Sequence, residues 1–153
     1  MSVLTIERPE DLEPYIGREI GKSAWTEVTQ QHIDAFAEAT GDYQWIHCDP
    51  DRAAKDSPYG STIAHGFLTL SLIPRLLMDL VSIKELKMAI NYGLNRLRFP
   101  NAVPVGAHVR LVAKVADVLK LTGAVQAVFR VNIEVKGQDK PACVAEMVMR
   151  FCG

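Results

Sequence analysis

The sequence has few cysteines, and they do not form a recognisable pattern. Only three occur among the 153 residues, Cys48, Cys143 and Cys152, and no CxxC pair is present. An odd number of widely spaced cysteines argues against a set of disulfides and against a structural zinc site. We therefore expect a protein of a reducing compartment, the cytoplasm, that holds no metal.

The sequence also lacks an excess of either charge and a long apolar run. The formal net charge is −1, and the charges are spread without blocks. Nucleic acid and anionic membrane surfaces both attract a basic face, so we expect neither as a partner. The longest apolar stretch, residues 67–81, is too short to cross a bilayer and is interrupted by Pro74, Arg75 and Asp79. Acidic residues interrupt residues 1–14 in the same way, and we expect no signal peptide.

What the sequence does contain is enough apolar material for one folded domain, which we place at residues 1–153. Hydrophobic residues make up 48% of the chain, and no repeat or linker is evident. A first strand is expected at residues 19–27. Thr29 is a suitable N-cap for a helix over residues 30–40, and Gly41 is suited to end that helix in a left-handed conformation. Asp49–Pro50 predicts the start of a second, short helix.

A strongly apolar helix and a series of strands are expected in the remainder. Residues 64–81 are apolar around most of a helical circumference, which predicts a buried helix that Pro74 kinks or splits. Alternation of apolar and polar residues, with an irregularity at Gly93, then predicts strands. These strands span residues 88–99, 109–115, 125–135 and 143–151. An antiparallel sheet whose inner face is covered by one helix is an α+β arrangement.

The stretch ATGDYQWIHCDP, residues 39–50, combines an acid and an imidazole in one short connection between two helices. Asp42 and His47 are five residues apart, so on one helix they would point about 140° from each other. In a loop over residues 43–48, bounded by two helix ends, they can converge. Spacing alone leaves a simpler alternative open, in which the aspartate caps a helix and the histidine is an ordinary polar loop residue.

A second stretch, GSTIAHGFLTL, adds a possible oxyanion site. A helix that begins near Gly66 exposes unpaired backbone N–H groups, and a glycine leaves them open to a substrate oxygen. An acid, a base and an oxyanion donor are the parts required to add water next to a carbonyl. Close packing of the helix start is the alternative for Gly66. His65 is a second candidate imidazole, although a backbone-bonded or packed histidine is the simpler interpretation.

Taken together, ATGDYQWIH and IAHGFLTLSL resemble the MaoC-like, (R)-specific enoyl-CoA hydratase and dehydratase group of hot-dog folds. The similarity is greatest to its nodulation-protein-N-like branch and covers nearly the whole chain, including NYGLNRLRFPNAVPVG. The family pattern G-D-x-N-P-[aliphatic]-H maps its acid and its histidine onto Asp42 and His47, and its oxyanion glycine onto Gly66. Gln44 and Trp45 stand where the family usually has Asn and Pro, which affects the expected substrate preference.

The resemblance implies a single hot-dog domain with an antiparallel sheet wrapped around a central helix. It also implies a lyase that reversibly adds water to trans-2-enoyl-CoA, giving (R)-3-hydroxyacyl-CoA, without a cofactor beyond the thioester substrate. A homodimer with sheets joined edge to edge is expected as well. A hot-dog acyl-CoA thioesterase, a non-catalytic acyl-CoA binder and a dehydratase of acyl-carrier-protein thioesters remain alternatives.

Further residues are expected to contact the substrate if the resemblance holds. Gln44 and Trp45 lie inside the acid–histidine loop, and Tyr59 and Gly60 precede the central helix, where they would flank the acyl tunnel. Arg98, at a predicted strand end, would contact CoA phosphates; a solvated arginine is an equally simple interpretation.

Overall fold

Long antiparallel strands form the larger part of the structure, a computed structural model that describes residues 3–153. The first two residues of the predicted 1–153 domain lie outside the described residues. The elements, besides a 3₁₀ helix at Pro9–Tyr15, are β1 (Leu4–Ile6), β2 (Glu19–Lys22), β3 (Thr26–Glu27), α1 (Gln30–Thr40), α2 (Trp45–Cys48), α3 (Pro50–Asp56), α4 (Gly66–Ser71), α5 (Ile73–Met78), β4 (Val81–Ile83), β5 (Met88–Arg98), β6 (His108–Leu121), β7 (Ala124–Val135) and β8 (Cys143–Cys152).

The main sheet has the strand order β2-β6-β7-β8-β5, with β3 also paired to β6, and all of these pairs are antiparallel. The four predicted long strands are therefore confirmed, including the irregularity near Gly93, where the β5–β8 register shifts. On β7 the inward residues Phe129, Val131 and Ile133 are almost fully buried, as the period-two pattern predicts. A separate pair, β1 and β4, is parallel and was not predicted.

The predicted helix over residues 64–81 is divided into α4 and α5 at Leu72, and it begins at Gly66. Pro74 lies in the first turn of α5, where its missing N–H does not interrupt a hydrogen bond. One side of these helices packs into the core. The prediction of a buried helix holds for this side only, since Phe67 and Met78 are 63% and 71% exposed within this single chain.

The predictions of the helix caps are confirmed, and one strand prediction needs correction. Thr29 accepts a hydrogen bond from the His32 N–H, and Gly41 ends α1 at φ 82°. The strand expected at residues 19–27 is interrupted after Lys22. The Ser23 N–H still donates to the Leu111 carbonyl at 2.8 Å, but the Leu111 N–H donates to the Ser23 hydroxyl, also at 2.8 Å, and not to a main-chain carbonyl.

No helix among residues 3–153 is long and apolar enough to cross a membrane. β5 lies at one end of the main sheet and pairs with β8 only, so its other side has no strand partner within residues 3–153. Exposed apolar side chains occur along this edge strand: Met88, Ile90, Tyr92 and Leu94.

Candidate active site

The loop between α1 and α3 positions the predicted acid. Gly41 adopts the left-handed conformation that ends α1, so Asp42 is the first side chain beyond the helix. Its carboxylate accepts a long hydrogen bond, 3.4 Å, from the Gln44 N–H. Asp42 is accessible to solvent, so its carboxylate can reach water or a ligand.

His47 lies on a one-turn helix, α2, and not in an irregular loop as expected from the sequence. Its side chain is buried, and Nδ1 is 2.7 Å from the carbonyl oxygen of Ile63. A carbonyl can only accept, so Nδ1 carries the proton and Nε2 keeps its lone pair. Burial lowers the pKa of His47 below its ordinary value, against the opposing effect of the Ile63 hydrogen bond. The imidazole is therefore neutral at pH 7 and able to accept a proton.

His65 lies directly against His47. The two rings are stacked with centroids 3.8 Å apart and an interplanar angle of 22°, while Phe36 packs against His65 at 4.9 Å. His65 Nε2 is 2.9 Å from the main-chain oxygen of Asp42. His65 is therefore bonded to the backbone, as the simpler interpretation predicted, and its ring also contacts the ring of His47.

Asp42, His47 and His65 form a tight cluster, with one carboxylate oxygen and one nitrogen of each ring all within 4.8 Å of one another. The acid and histidine that the sequence separates by five residues do converge. The cluster is poorly arranged for a metal ion, because lone pairs in two parallel stacked rings run side by side and do not meet at one point. Tetrahedral coordination requires ligands that converge, and the expectation of no metal remains a prediction.

Gln30 is a further part of this site that the sequence did not single out. From the first turn of α1, its amide nitrogen donates to the His47 carbonyl at 2.7 Å and to Asp34 at 2.9 Å, and its oxygen accepts from the Thr62 hydroxyl. Thr62 directly precedes Ile63, whose carbonyl holds the His47 ring. One amide thus connects both backbone segments around His47. No local pattern could reveal this, since the partners lie 17 and 32 residues away.

Gly66 is the first residue of α4, and its N–H has no hydrogen-bond acceptor among the residues that the structure describes. A Cβ at this position would lie 2.8 Å from Phe99 Cδ2, so the site has no space for a side chain. Gly66 lines a cavity of about 260 Å³ together with Tyr59 and Phe99. Tyr59 is among the residues that line this cavity, whereas Gly60 is exposed in the adjoining turn and does not line it; a contact of either residue with the acyl chain stays a prediction.

The remaining predicted site residues lie at the surface or near it. Gln44 is exposed at the N-cap of α2, and the Trp45 ring is covered by the Arg52 guanidinium at 4.2 Å. Arg98 is exposed and donates to the Leu97 carbonyl at 2.7 Å, so a contact with CoA phosphates stays a prediction. Burial raises the pKa of the Cys48 thiol, next to His47 in the chain, which favours the protonated form and argues against its use as a nucleophile.

Comparison with known proteins agrees with this architecture. The model of the MaoC like domain family matches residues 11–138. The chain is 50% identical to 3-hydroxyacyl-thioester dehydratase Z of Mycobacterium tuberculosis, over 96% of this chain and 97% of that protein. It is 43% identical to nodulation protein N of Rhizobium leguminosarum bv. viciae, over 90% and 87% of the two chains.

A solved structure with the same fold is the unliganded R-hydratase PhaJ1 from Pseudomonas aeruginosa, with a TM-score of 0.69. The alignment covers 88% of this chain and 79% of that chain at 22% identity, which supports the fold alone. The family model and the two sequence relatives extend over most of the chain. The chain therefore belongs to the MaoC-like dehydratase family of hot-dog lyases, as the two motifs predicted.

Proposed function

We propose that the protein is an (R)-specific enoyl-CoA hydratase, which interconverts trans-2-enoyl-CoA and (R)-3-hydroxyacyl-CoA. The observation that carries the proposal is the His47 imidazole, whose Nδ1 is held by the Ile63 carbonyl so that Nε2 keeps its lone pair, in one cluster with the Asp42 carboxylate. The 50% identity to a 3-hydroxyacyl-thioester dehydratase supports the same chemistry in the reverse direction.

In the hydration direction, one water is held between the Asp42 carboxylate and His47 Nε2. The two side chains take a proton from the water while the water oxygen bonds to Cβ of the enoyl group. The electron pair of the C=C bond moves through Cα onto the thioester oxygen and gives an enolate. The proton is then returned to Cα, the thioester carbonyl re-forms, and the side chains regain their starting state. Positioned acid–base catalysis of this kind contributes roughly 10²–10⁴-fold.

The Gly66 N–H is the proposed donor to the enolate oxygen. It begins α4, has no other acceptor within residues 3–153, and borders a cavity. A backbone donor fixed in this way needs no reorganisation when charge develops, and one such donor contributes on the order of 10²–10³-fold. Tyr59 lines the same cavity and would contact the thioester end of the substrate.

The functional unit is proposed to be a homodimer joined through the edge strand β5. All residues of β5 except Leu97 are exposed in the single chain, and Phe67 and Met78 of the central helices are exposed as well. A long apolar edge strand invites pairing with another strand. We expect light scattering to give a dimer mass at micromolar concentration. Leu94→Lys should give a monomer, whereas Leu119→Lys, at an exposed leucine on β6, should not.

The deciding experiment follows enoyl-thioester absorbance with a series of trans-2-enoyl-CoAs, for the wild type, Asp42→Asn and His47→Gln. His108→Gln, at an exposed histidine on β6, is the matched control. Turnover that both site variants abolish and the control retains is the expected result. Free thiol is measured alongside, because hydrolysis of the thioester removes the enoyl-thioester band as hydration does. Loss of the band with an equal release of free thiol would instead identify a thioesterase, and binding without any turnover would identify a non-catalytic acyl-CoA binder.

A further inference from the structure

His65 is almost fully enclosed, and its contacts run to both members of the proposed catalytic pair. Its side chain is 3% exposed. One nitrogen meets the main chain of Asp42 at 2.9 Å, and the ring face lies on His47 at a centroid distance of 3.8 Å. Phe36 packs against the ring at 4.9 Å. The imidazole is therefore held from several sides, and its orientation is set by packing.

The hydrogen bonds of His65 define which nitrogen carries its proton. Nε2 faces a carbonyl oxygen, which can only accept, so Nε2 is the donor. Nδ1 is buried and has no hydrogen-bond partner in the described part of the chain. A proton on Nδ1 would be a buried donor without an acceptor, which is costly. The neutral Nε2–H form is the one that satisfies the site.

We propose that His65, in its Nε2–H form, is a positioning residue for the catalytic pair. Its N–H fixes the main chain of Asp42 just beyond the end of α1, and its ring supports the face of His47. It therefore sets the distance between the carboxylate and His47 Nε2, while Gln30 holds the His47 main chain. This inference rests on the proposed hydratase function.

Direct participation of His65 in proton transfer is excluded by the same geometry. Nε2 is occupied by the Asp42 carbonyl, and Nδ1 is inaccessible to a substrate. The effect of His65 must therefore pass through the two residues it touches. Small misplacements of catalytic groups reduce the rate of chemistry more than they weaken substrate binding, with losses of up to about 10²-fold for an error near 1 Å.

Two substitutions separate the hydrogen bond from the ring. His65→Phe keeps an aromatic ring against His47 but loses the donor. His65→Gln loses the ring but retains an amide N–H that can reach the Asp42 carbonyl. We expect His65→Phe to lower kcat by about 10- to 100-fold with KM changed by less than about threefold. His65→Gln should recover part of this loss, and His108→Gln should match the wild type.

The tautomer is measured independently of activity, by long-range ¹H–¹⁵N NMR of the imidazoles in the wild-type protein. The expected result is a proton on Nε2 of His65 and on Nδ1 of His47. A proton on Nδ1 of His65 would overturn the inference, as would a folded His65→Phe with wild-type kcat. If the wild type itself shows no turnover, the hydratase proposal fails, and the tautomer still decides whether His65 is held as described. If His65→Phe does not fold, the tautomer measurement on the wild type still tests the inference.

Discussion

Substitution of Gly66 by alanine tests the oxyanion site with a single methyl group. Glycine is not required here by backbone conformation, because Gly66 has no left-handed φ. It is required by space, since a Cβ would lie 2.8 Å from Phe99 Cδ2 and 3.0 Å from Cε2. Carbon atoms in ordinary contact are about 3.5–4.0 Å apart, so the Phe99 ring must move by about 1 Å. Phe99 is 37% exposed and can turn towards solvent.

The expected loss of stability is small compared with the expected loss of activity. Overpacking costs about 1–3 kcal/mol, and alanine in place of glycine in a helix returns about 1 kcal/mol. A net loss of about 2 kcal/mol or less lowers the Tm by at most about 8 °C in a domain of this size. If the methyl group blocks approach to the Gly66 N–H, kcat falls by about 10²–10³-fold, or about 2.7–4 kcal/mol.

The double variant Gly66→Ala/Phe99→Leu distinguishes the two effects. Leucine removes the ring atoms that the methyl group would strike, so the double variant should regain most of the lost Tm. If the methyl group blocks approach to the N–H, the double variant remains inactive in the enoyl-CoA absorbance assay. Recovery of activity together with Tm would refute the oxyanion role and leave Gly66 as a packing residue only.

Two further predictions concern the surroundings of His47. Gln30→Leu should lower kcat about 10-fold or more, since the His47 carbonyl loses its hydrogen-bond donor. Gln31→Leu, at the exposed neighbouring residue on α1, is the control and should leave kcat unchanged in the same assay. Burial lowers the pKa of His47 below its ordinary value of 6.5, and protonation of the ring removes the acceptor for the proton of the water. The pH profile of kcat/KM should therefore be flat around pH 7 and fall on the acid side only below pH 6.5. An acid limb above pH 6.5 would contradict this assignment.

Features set by neighbouring residues could be predicted from the sequence, and features set by distant ones could not. Thr29 and Gly41 define α1 through their own side-chain and backbone chemistry, and both were placed correctly. Asp42 and His47 were identified by the motif, and their convergence follows from the helix ends on either side. The contacts of Gln30 and His65 join residues 17 to 32 positions apart and depend on how α1 packs beside residues 62–65.

The errors in the predicted fold have physical causes of the same kind. Residues 19–27 have the alternation of one strand, but the hydroxyl of Ser23 pairs with the main chain of Leu111 and divides it. The mostly apolar circumference of residues 64–81 predicts a buried helix, yet Phe67 and Met78 are exposed on one side of it. The exposure of Phe67 and Met78 agrees with the sequence if the proposed dimer covers these two side chains, because the apolar pattern of a sequence reflects burial in the functional assembly and not in one chain.

The backbone around Trp45 already has the geometry that proline requires, although the family's usual proline is absent. Trp45 is the first residue of α2, where proline is tolerated, and its N–H donates no backbone hydrogen bond among residues 3–153. Gln44 has ψ 141°, within the range that a following proline favours. Trp45→Pro should therefore keep the loop and the acid–histidine pair in place.

The expected change in the free energy of unfolding for Trp45→Pro is within about 1 kcal/mol. Proline gains about 0.4–1 kcal/mol by restricting the unfolded chain, and loss of the Arg52 contact removes about 0.5–1 kcal/mol. Arg52→Ala removes the same contact together with the exposed Arg52–Asp56 ion pair, whose contribution to the free energy of unfolding is small. We expect kcat on a short enoyl-CoA to stay within about threefold of the wild type, with any larger change appearing in KM for longer chains. A folded Trp45→Pro protein as inactive as Asp42→Asn would instead show that the tryptophan helps to hold the acid–histidine pair, and that its replacement of proline changed the catalytic geometry itself.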